Sequence, residues 1–457
     1  MSRTLVYGLA VAGASTVRAL RRHGHTVVVV EDVVDEPRLA RAAELDVELV
    51  DGATADLDRL LADCSLLCPS PGVPEAHPVI DAAQRLGVPI VSEIELAYRW
   101  EQERPGGPRP MLAVTGTDGK TTTTKLAVAM LAAAGVRSVD AGNTDTPLVD
   151  AIEQDLDAFV VECSSFRLAW TPTFRAEGAV WLNLQPDHLN WHRSLESYEA
   201  AKARIFVNQR PTDVAIGFAD DPAVMGHVAT APGRAVTFGF AAADYHVADD
   251  ALTGPGGVIT TQASMRRALP HDVTNALAAA ALVLETGLAD TDAIRAALAT
   301  FTGPPHRLEQ LGTWGGVGWY NDSKATTPHA AAAAIRSFDR IVLIAGGADK
   351  GVDLAPMAAA SDRLVGVIAI GTTASAIAAT FAGVPRVEVA GTLERAVEIA
   401  QHWAVAGDTV LLSPGCASLD QFRSFEARGD AFRALVDEQF HDVPPGVSSS
   451  DPTEALA

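Results

Sequence analysis

The sequence predicts an α/β fold of three domains, each built on a mostly parallel sheet. Short β-branched runs alternate with Ala-rich helical stretches along the chain, which is the pattern of strands buried between crossover helices. Several of the apolar runs stop at glycine, where an open α/β sheet turns from strand into helix. The 457 residues also exceed what one hydrophobic core serves, since cores stop growing near roughly 250–300 residues and longer chains divide.

The first block, residues 1–102, opens with LVYGLAVAGAST, a strand, a glycine turn at Gly8 and Gly13, and a helix start. VVVVED follows about one βαβ unit later and ends in Glu31 and Asp32. The arrangement is Rossmann-like, although the GxGxxG spacing of a dinucleotide site is missing. ERPGGPRP, 103–110, carries two Gly and three Pro in eight residues and reads as a linker. The second block, 111–302, holds the strand patterns MLAVTG, AFVVEC and GAVWLNL, and TGPPHR, 302–307, then breaks the pattern as a hinge. The third block, 303–442, contains RIVLIAGG, LVGVIAIG and TVLLSPG, and is Rossmann-like again. Residues 443–457 are polar and Pro/Ser-rich, hence expected to be disordered.

Acidic residues outnumber basic ones by 57 to 35, for a net charge of −22, spread along the chain. Such a field repels nucleic acid and anionic membrane, so neither is expected as a partner. The Ala-rich runs 127–136 and 273–284 are too short to span a bilayer. A cytoplasmic, monomeric protein is expected. Cysteines 64, 68, 163 and 416 form no CxxC pair and read as small buried hydrophobes.

VTGTDGKTTTTKL, 114–126, carries the chemistry. A glycine turn entering a helix offers unpaired N–H groups and the positive end of the dipole to a phosphate. Gly116 and Gly119 allow close approach, Lys120 supplies a point charge, and the Thr121 hydroxyl suits Mg²⁺, which is P-loop logic with a shorter loop than GxxxxGK[ST]. The central block is therefore expected to be a P-loop-type ATPase. Glu162 ends an apolar strand and is a candidate Mg²⁺ ligand, while LNLQPDHLNWH offers Asp187, His188 and His192 after the next strand. Lys202, in YEAAKARIF, reads on its own as an exposed helix residue.

Taken together, GTDGKTTTT, GNTDTP, VECSSFRL, LNLQPDHLNWH, YEAAKARIF, GPPHRLE, YNDSKATT, GGADKG and LSPGCASLDQFRSFEARGD resemble the Mur ligases in order across almost the whole chain. The likeness is strongest to the members that add glutamate to UDP-N-acetylmuramoyl-L-alanine. The resemblance implies a UDP-sugar domain, a central ATPase and a C-terminal domain that closes over ATP at the hinge and receives the amino acid. It further implies that ATP phosphorylates the terminal carboxylate and that the glutamate amine displaces phosphate from the acyl phosphate. By the same resemblance Gly116, Thr117, Gly119, Lys120, Thr121, Thr122, Asn275, Arg307 and Asp322 would meet ATP. Thr121, Glu162, His188 and Lys202 would hold two Mg²⁺ ions, Lys202 as an N6-carboxylated side chain, whose formation needs a neutral amine and so a pKa below about 10.4. Lys120, Glu162, His188 and Lys202 would be catalytic. Gly13, Ser15, Asn143 and Ser164 would meet the UDP-sugar peptide; Lys324, Thr326, Lys350, Ser418 and Phe425 would surround glutamate or the γ-phosphate. By their residue types alone, Ser418 could instead cap the following helix and Phe425 could be core.

Several positions depart from the family pattern. Asp118 replaces Asn in GTNGK, GNIG becomes GNTD with Thr144 and Asp145, and Arg167 replaces Gln in SSFQL. Pro186 and Asn190 replace acidic residues around His188, and KATN ends in Thr327. The exchanges leave open a paralogue that adds L-glutamate, or another Mur or folylpolyglutamate-type amide ligase. A dehydrogenase built on the first block would leave the GKT loop and Lys202 unexplained.

Overall fold

The computed structural model of the chain describes residues 3–240, 242–349 and 351–441. It divides into two units that meet between Phe301 and Thr302. The expectation for 443–457 lies outside the described residues, as does the one for Lys350.

Two parallel sheets organise the first unit. β1 (Arg3–Tyr7), β2 (Thr26–Glu31), β3 (Glu48–Asp51) and β4 (Leu66–Pro69) form one in the order β3-β2-β1-β4. β5 (Met111–Thr115), β6 (Ser138–Gly142), β7 (Ala158–Glu162), β8 (Gly178–Trp181), β9 (Val214–Phe218) and β10 (Arg234–Phe238) form the other in the order β10-β9-β8-β5-β7-β6. Every residue of β5 and β7 is buried. That is why these strands read as unbroken apolar runs rather than alternating ones.

The proline-rich segment between the two sheets is bridged rather than slack. The Arg109 guanidinium donates to both Glu101 oxygens at 2.9 and 2.7 Å, and also to the Gln154 and Ile152 carbonyls at 2.7 and 2.5 Å. It stands 4.5 Å from the Phe159 ring centroid. Both members of the pair are buried, and one apolar cluster runs from Val6, Val29 and Leu96 to Phe159, Val161 and Trp181. The break in sequence pattern at 103–110 therefore separates sheets that share a core.

A small antiparallel sheet that the sequence pattern did not announce follows, of β11 (His246–Ala248), β12 (Ala251–Gly254) and β13 (Gly257–Thr261). The second unit carries β14 (Glu309–Trp314), β15 (Val317–Asn321), β16 (Ile341–Gly346), β17 (Leu364–Ile370), β18 (Val387–Gly391) and β19 (Thr409–Leu412) in the order β14-β15-β19-β16-β17-β18. Among the described residues only β14 is antiparallel in this sheet, joined to β15 by the Gly315–Gly316 turn. Ile344, Ile368 and Leu412 pack against Phe432 and Val436 of the helix Phe425–Gln439. Among the described residues no helix is long and apolar enough to cross a membrane. All four cysteines are free and buried, and burial pushes each thiol above its ordinary range.

Candidate active site

β5 sits between β7 and β8, and the chain leaves it toward β6 on one side yet returns to β8 on the other. Ligands bind outside the carboxyl ends of strands at such a reversal. The loop there runs directly into the helix Lys120–Ala133, whose N-cap Gly119 holds φ +84°. A Cβ at Gly119 would lie 2.6 Å from Asn275 Oδ1, and one at Gly116 would lie 2.9 Å from Leu182 Cβ, so the loop closes onto its walls only with glycine at both places. The Asn275 oxygen accepts from Thr123 Oγ1 at 3.2 Å. Thr117 N and Asp118 N both donate to Asn183 Oδ1 at 2.9 Å. With those two amides turned aside, the first turn of the helix, beginning at Lys120, is what the loop presents to an anion. Lys120 Nζ donates to the Gly116 and Thr117 carbonyls at 2.9 and 2.8 Å. Thr121 is half-buried, whereas Thr122 is buried beside Arg267 and Asp272.

Lys202 is not the exposed helix lysine that its local sequence suggests. It lies on the helix Leu195–Val207, is 1% exposed, and donates to the Gly116 carbonyl at 2.6 Å with its ammonium 4.7 Å from the Tyr198 ring centroid. Tyr198 in turn bonds Thr117 Oγ1 at 3.0 Å. Lys120 and Lys202 thus share one carbonyl of the glycine loop. Burial, and then the neighbouring Lys120 charge, drive the Lys202 amine well below the usual lysine range.

Glu162 stands at the carboxyl end of β7, 2% exposed. Its Oε1 accepts from Asn143 Nδ2 at 2.8 Å, and its buried Oε2 has no hydrogen-bond partner among the described residues. A buried carboxylate oxygen left open in this way fits a hard divalent cation, which oxygen ligands favour. His188 holds φ +56°, is half exposed, and lies 4.7 Å from Phe166, centroid to centroid. Burial is the main cause that lowers its imidazole, with Asp187 opposing it. Among the described residues no three His, Cys, Asp or Glu converge into a ready ligand set.

His192 belongs to a different arrangement. Its Nε2 bonds Ser165 Oγ and its Nδ1 bonds Glu75 Oε1, both at 2.9 Å, tying the loop after β8 to the loop 70–78 that follows β4 of the first sheet. Ser165 is 2% exposed, so this Ser-His-Glu chain is closed to any substrate. Ser164 caps the short helix Ser165–Leu168, accepting from Arg167 N at 3.4 Å.

A cavity of about 550 Å³ opens at the carboxyl end of β1 and β2. Tyr7, Gly8, Asp32, Ser70, Asn143 and Arg167 are among its walls. Tyr7 donates to Asp32, which also faces His77 Nε2 at 3.3 Å, and the Leu9 amide donates to Glu31. Gly13 and Ser15 do not reach the cavity. A Cβ at Gly13 would sit 2.0 Å from the Gly8 carbonyl, so that glycine serves helix-to-turn packing, and the Ser15 hydroxyl accepts from Arg18 at 2.8 Å.

In the second unit, Arg307 is flanked by His306 at φ +58° and Leu308 at φ +42°, two non-glycine residues in the left-handed region. Asp322 steadies that turn, accepting from Leu308 N at 3.1 Å and from Ser413 Oγ at 2.7 Å. Lys324 is exposed, 5.5 Å from the Phe425 ring centroid, and Thr326 is half-buried nearby in the chain. Ser418 is buried but does not cap the next helix; Ser424 does, accepting from Ala427 N at 3.2 Å. Phe425 is half-buried rather than core. Arg428, to which the motif LSPGCASLDQFRSFEARGD assigned no role, is 1% exposed and donates to Ser323 Oγ and O and to the Cys416 and Ala417 carbonyls. It draws the loops after β15 and β19 together with no carboxylate in contact among the described residues, and burial lowers it to about 10.

A glycine loop at a sheet reversal, two lysines on one loop carbonyl and an open buried carboxylate define a phosphate-handling α/β enzyme. Three family models match the chain: the N-terminal domain of MurD-like Mur ligases at residues 2–92, the Mur ligase middle domain at 114–283 and the Mur ligase glutamate ligase domain at 306–416. The chain is 44% identical to a UDP-N-acetylmuramoylalanine–D-glutamate ligase of Frankia casuarinae over 94% of its own length and 93% of that protein's. It is 41% identical to the protein of the same name in Myxococcus xanthus, over 95% and 98%. Among solved structures its fold is similar to MurF ligase of Thermotoga maritima in complex with ADP, with TM-score 0.58, 15% identity and 96% of both chains covered. It is also similar to UDP-N-acetylmuramate-alanine ligase of that organism, with TM-score 0.56, 18% identity, and 96% and 100% covered. The chain belongs to the Mur ligase family of ATP-dependent ligases.

Proposed function

We propose that the chain adds D-glutamate to UDP-N-acetylmuramoyl-L-alanine at the expense of ATP, through an acyl phosphate, in peptidoglycan precursor synthesis. The observation that carries this reading is the likeness, over nearly the full length of both chains, to ligases named for that reaction. The site supports it. The first turn of the helix at Lys120 receives the phosphates, and Lys120 neutralises the charge that builds on the transferring group. Gly119, Thr117, Thr122 and Asn275 shape that cradle. Glu162, Thr121, His188 and Lys202 would hold Mg²⁺, the open Glu162 oxygen being the strongest reason. When bound, Mg²⁺ supplies Lewis-acid stabilisation of phosphoryl oxygens. Lys202, whose amine burial drives well below the usual lysine range, is poised to take up CO₂ as a carbamate and so exchange a cation for an anion beside that site. The 550 Å³ cavity, with Asn143 in its wall, suits the UDP-sugar peptide. In the second unit Arg307 and Asp322 would contact ATP, and Lys324, Thr326, Ser418 and Phe425 the amino acid.

The exchanges from the family pattern bear on the two substrates unequally. Thr327 caps the helix Pro328–Ile335, as an asparagine would, and leaves that element intact. Thr144 and Arg167 line the first unit's cavity instead. The test is phosphate release from ATP and Mg²⁺ with UDP-N-acetylmuramoyl-L-alanine, comparing D-glutamate, L-glutamate and no amino acid. Release that requires D-glutamate supports the reading; release with L-glutamate alone, or with neither, overturns it.

A further inference from the structure

Arg167 stands where the family pattern carries glutamine, and its environment is built rather than incidental. It is 5% exposed, and its Nε lies 3.3 Å from Glu93 Oε2, a carboxylate that is itself buried and accepts from Val149 N at 2.8 Å. Its Nη1 donates to Asn143 Oδ1 at 3.2 Å. Asn143 Nδ2 then donates to Glu162 Oε1 at 2.8 Å, and Glu162 Oε2 is left open.

The chemistry of the two ends fixes the middle. A guanidinium only donates and an ionised carboxylate only accepts, so Asn143 has one consistent orientation, oxygen toward Arg167 and nitrogen toward Glu162. A glutamine at 167 could donate or accept, so Glu162 alone would set the amide orientation, whereas Arg167 adds a second, charge-assisted hold on the Asn143 oxygen. With Asn143 held, one Glu162 oxygen is occupied and the other is turned free. We infer that Arg167 is a positioning residue which, through Asn143, aims the open oxygen of Glu162 at the divalent cation. The inference rests on the reading of Glu162 as a metal ligand. Partners that orient a ligating carboxylate are worth roughly 10–100-fold in metal affinity.

The test titrates Mn²⁺ alone into the full chain and reads free Mn²⁺ by electron paramagnetic resonance, with a melting curve for each variant. Glu93→Gln combined with Arg167→Gln removes both buried charges together and should weaken the tight Mn²⁺ site about 10-fold. Asn143→Leu should cost about as much, and the triple variant no more than either, because the residues act in series. Arg167→Lys keeps the cation beside Glu93 but not the second arm of the fork, and should lose affinity comparably. Glu162→Gln separates the two claims. Loss of Mn²⁺ in Glu162→Gln with affinity retained within twofold in the Glu93/Arg167 pair and in Arg167→Lys overturns the role of Arg167. Unchanged Mn²⁺ binding in Glu162→Gln overturns the metal reading and the inference with it.

Discussion

Lys202→Met, in metal-free and bicarbonate-free buffer, should give a protein that has lost turnover yet is slightly more stable than its parent at neutral pH. An ammonium taken out of water costs several kcal/mol. In this fold it recovers about 1.5–3 kcal/mol from the 2.6 Å bond to the Gly116 carbonyl. The Tyr198 ring at 4.7 Å returns about 2 kcal/mol more where desolvated. Methionine surrenders both gains along with the penalty and keeps most of the packing of the stem. The balance favours methionine by about 1 kcal/mol, or roughly 2 °C in the melting midpoint. The sign with pH follows from the lowered amine. In the unfolded chain this lysine titrates near 10.4, so between the folded pKa and that value the unfolded state holds the extra proton and the parent gains stability as pH rises. Below the folded pKa both states are protonated and the penalty is present in full. The advantage of methionine should therefore be widest at low pH and close toward about pH 10, by at most about 1.4 kcal/mol per pH unit. Denaturant titrations of both proteins across that range measure it. A variant less stable than the parent by more than about 2 kcal/mol at pH 7, or a gap that does not move with pH, would refute the reasoning.

Lys120→Ala should lower kcat/KM for phosphate release by about 10²–10³-fold or more, since it removes the charge that the glycine loop offers the transferring phosphoryl group. Turnover lost in Lys202→Ala should return in part with added acetate or formate, if an anion at that position is what the site needs. Asn183→Ala frees the Asp118 amide and removes the side-chain half of the Thr117 anchor, leaving Thr117 N on the Asn183 carbonyl at 3.1 Å, and should raise the KM for ATP about 10-fold with a smaller change in kcat, measured by the same assay. Arg109→Met should destabilise the first unit by about 3–5 kcal/mol by stranding Glu101, and Glu101→Met in the same chain should restore most of that in urea unfolding.

How far the sequence carries the site depends on whether a residue's role is local or made by the fold. Gly116, Gly119 and Lys120 are legible because strand, turn and helix dictate one another within ten residues, and the dipole argument needs nothing else. Glu162 is legible because the end of a buried strand is a place as well as a position in the chain. Lys202 is the opposite case. Its helix neighbours are those of any surface lysine, and what makes it unusual is the Gly116 carbonyl and the Lys120 charge, 86 and 82 residues away along the chain. No local pattern encodes that; the family resemblance singled Lys202 out, without these contacts, where periodicity could not. Asn183 and Arg428 were given no role, and His192 was named without its partners Ser165 and Glu75, for the same reason, since each is defined by loops it joins rather than by its own segment. The linker shows the limit from the other side. Gly and Pro in ERPGGPRP correctly end one sheet and begin another, but composition reports only that regular structure stops. That the two sides share a core rests on contacts composition does not report, among them those of Arg109, which stands inside the segment and binds Glu101 across it. A buried charge pair is costly unless its geometry is complete, and here five hydrogen bonds from one arginine complete it. The fold therefore joins these two sheets at the one place where the sequence reads most like a gap.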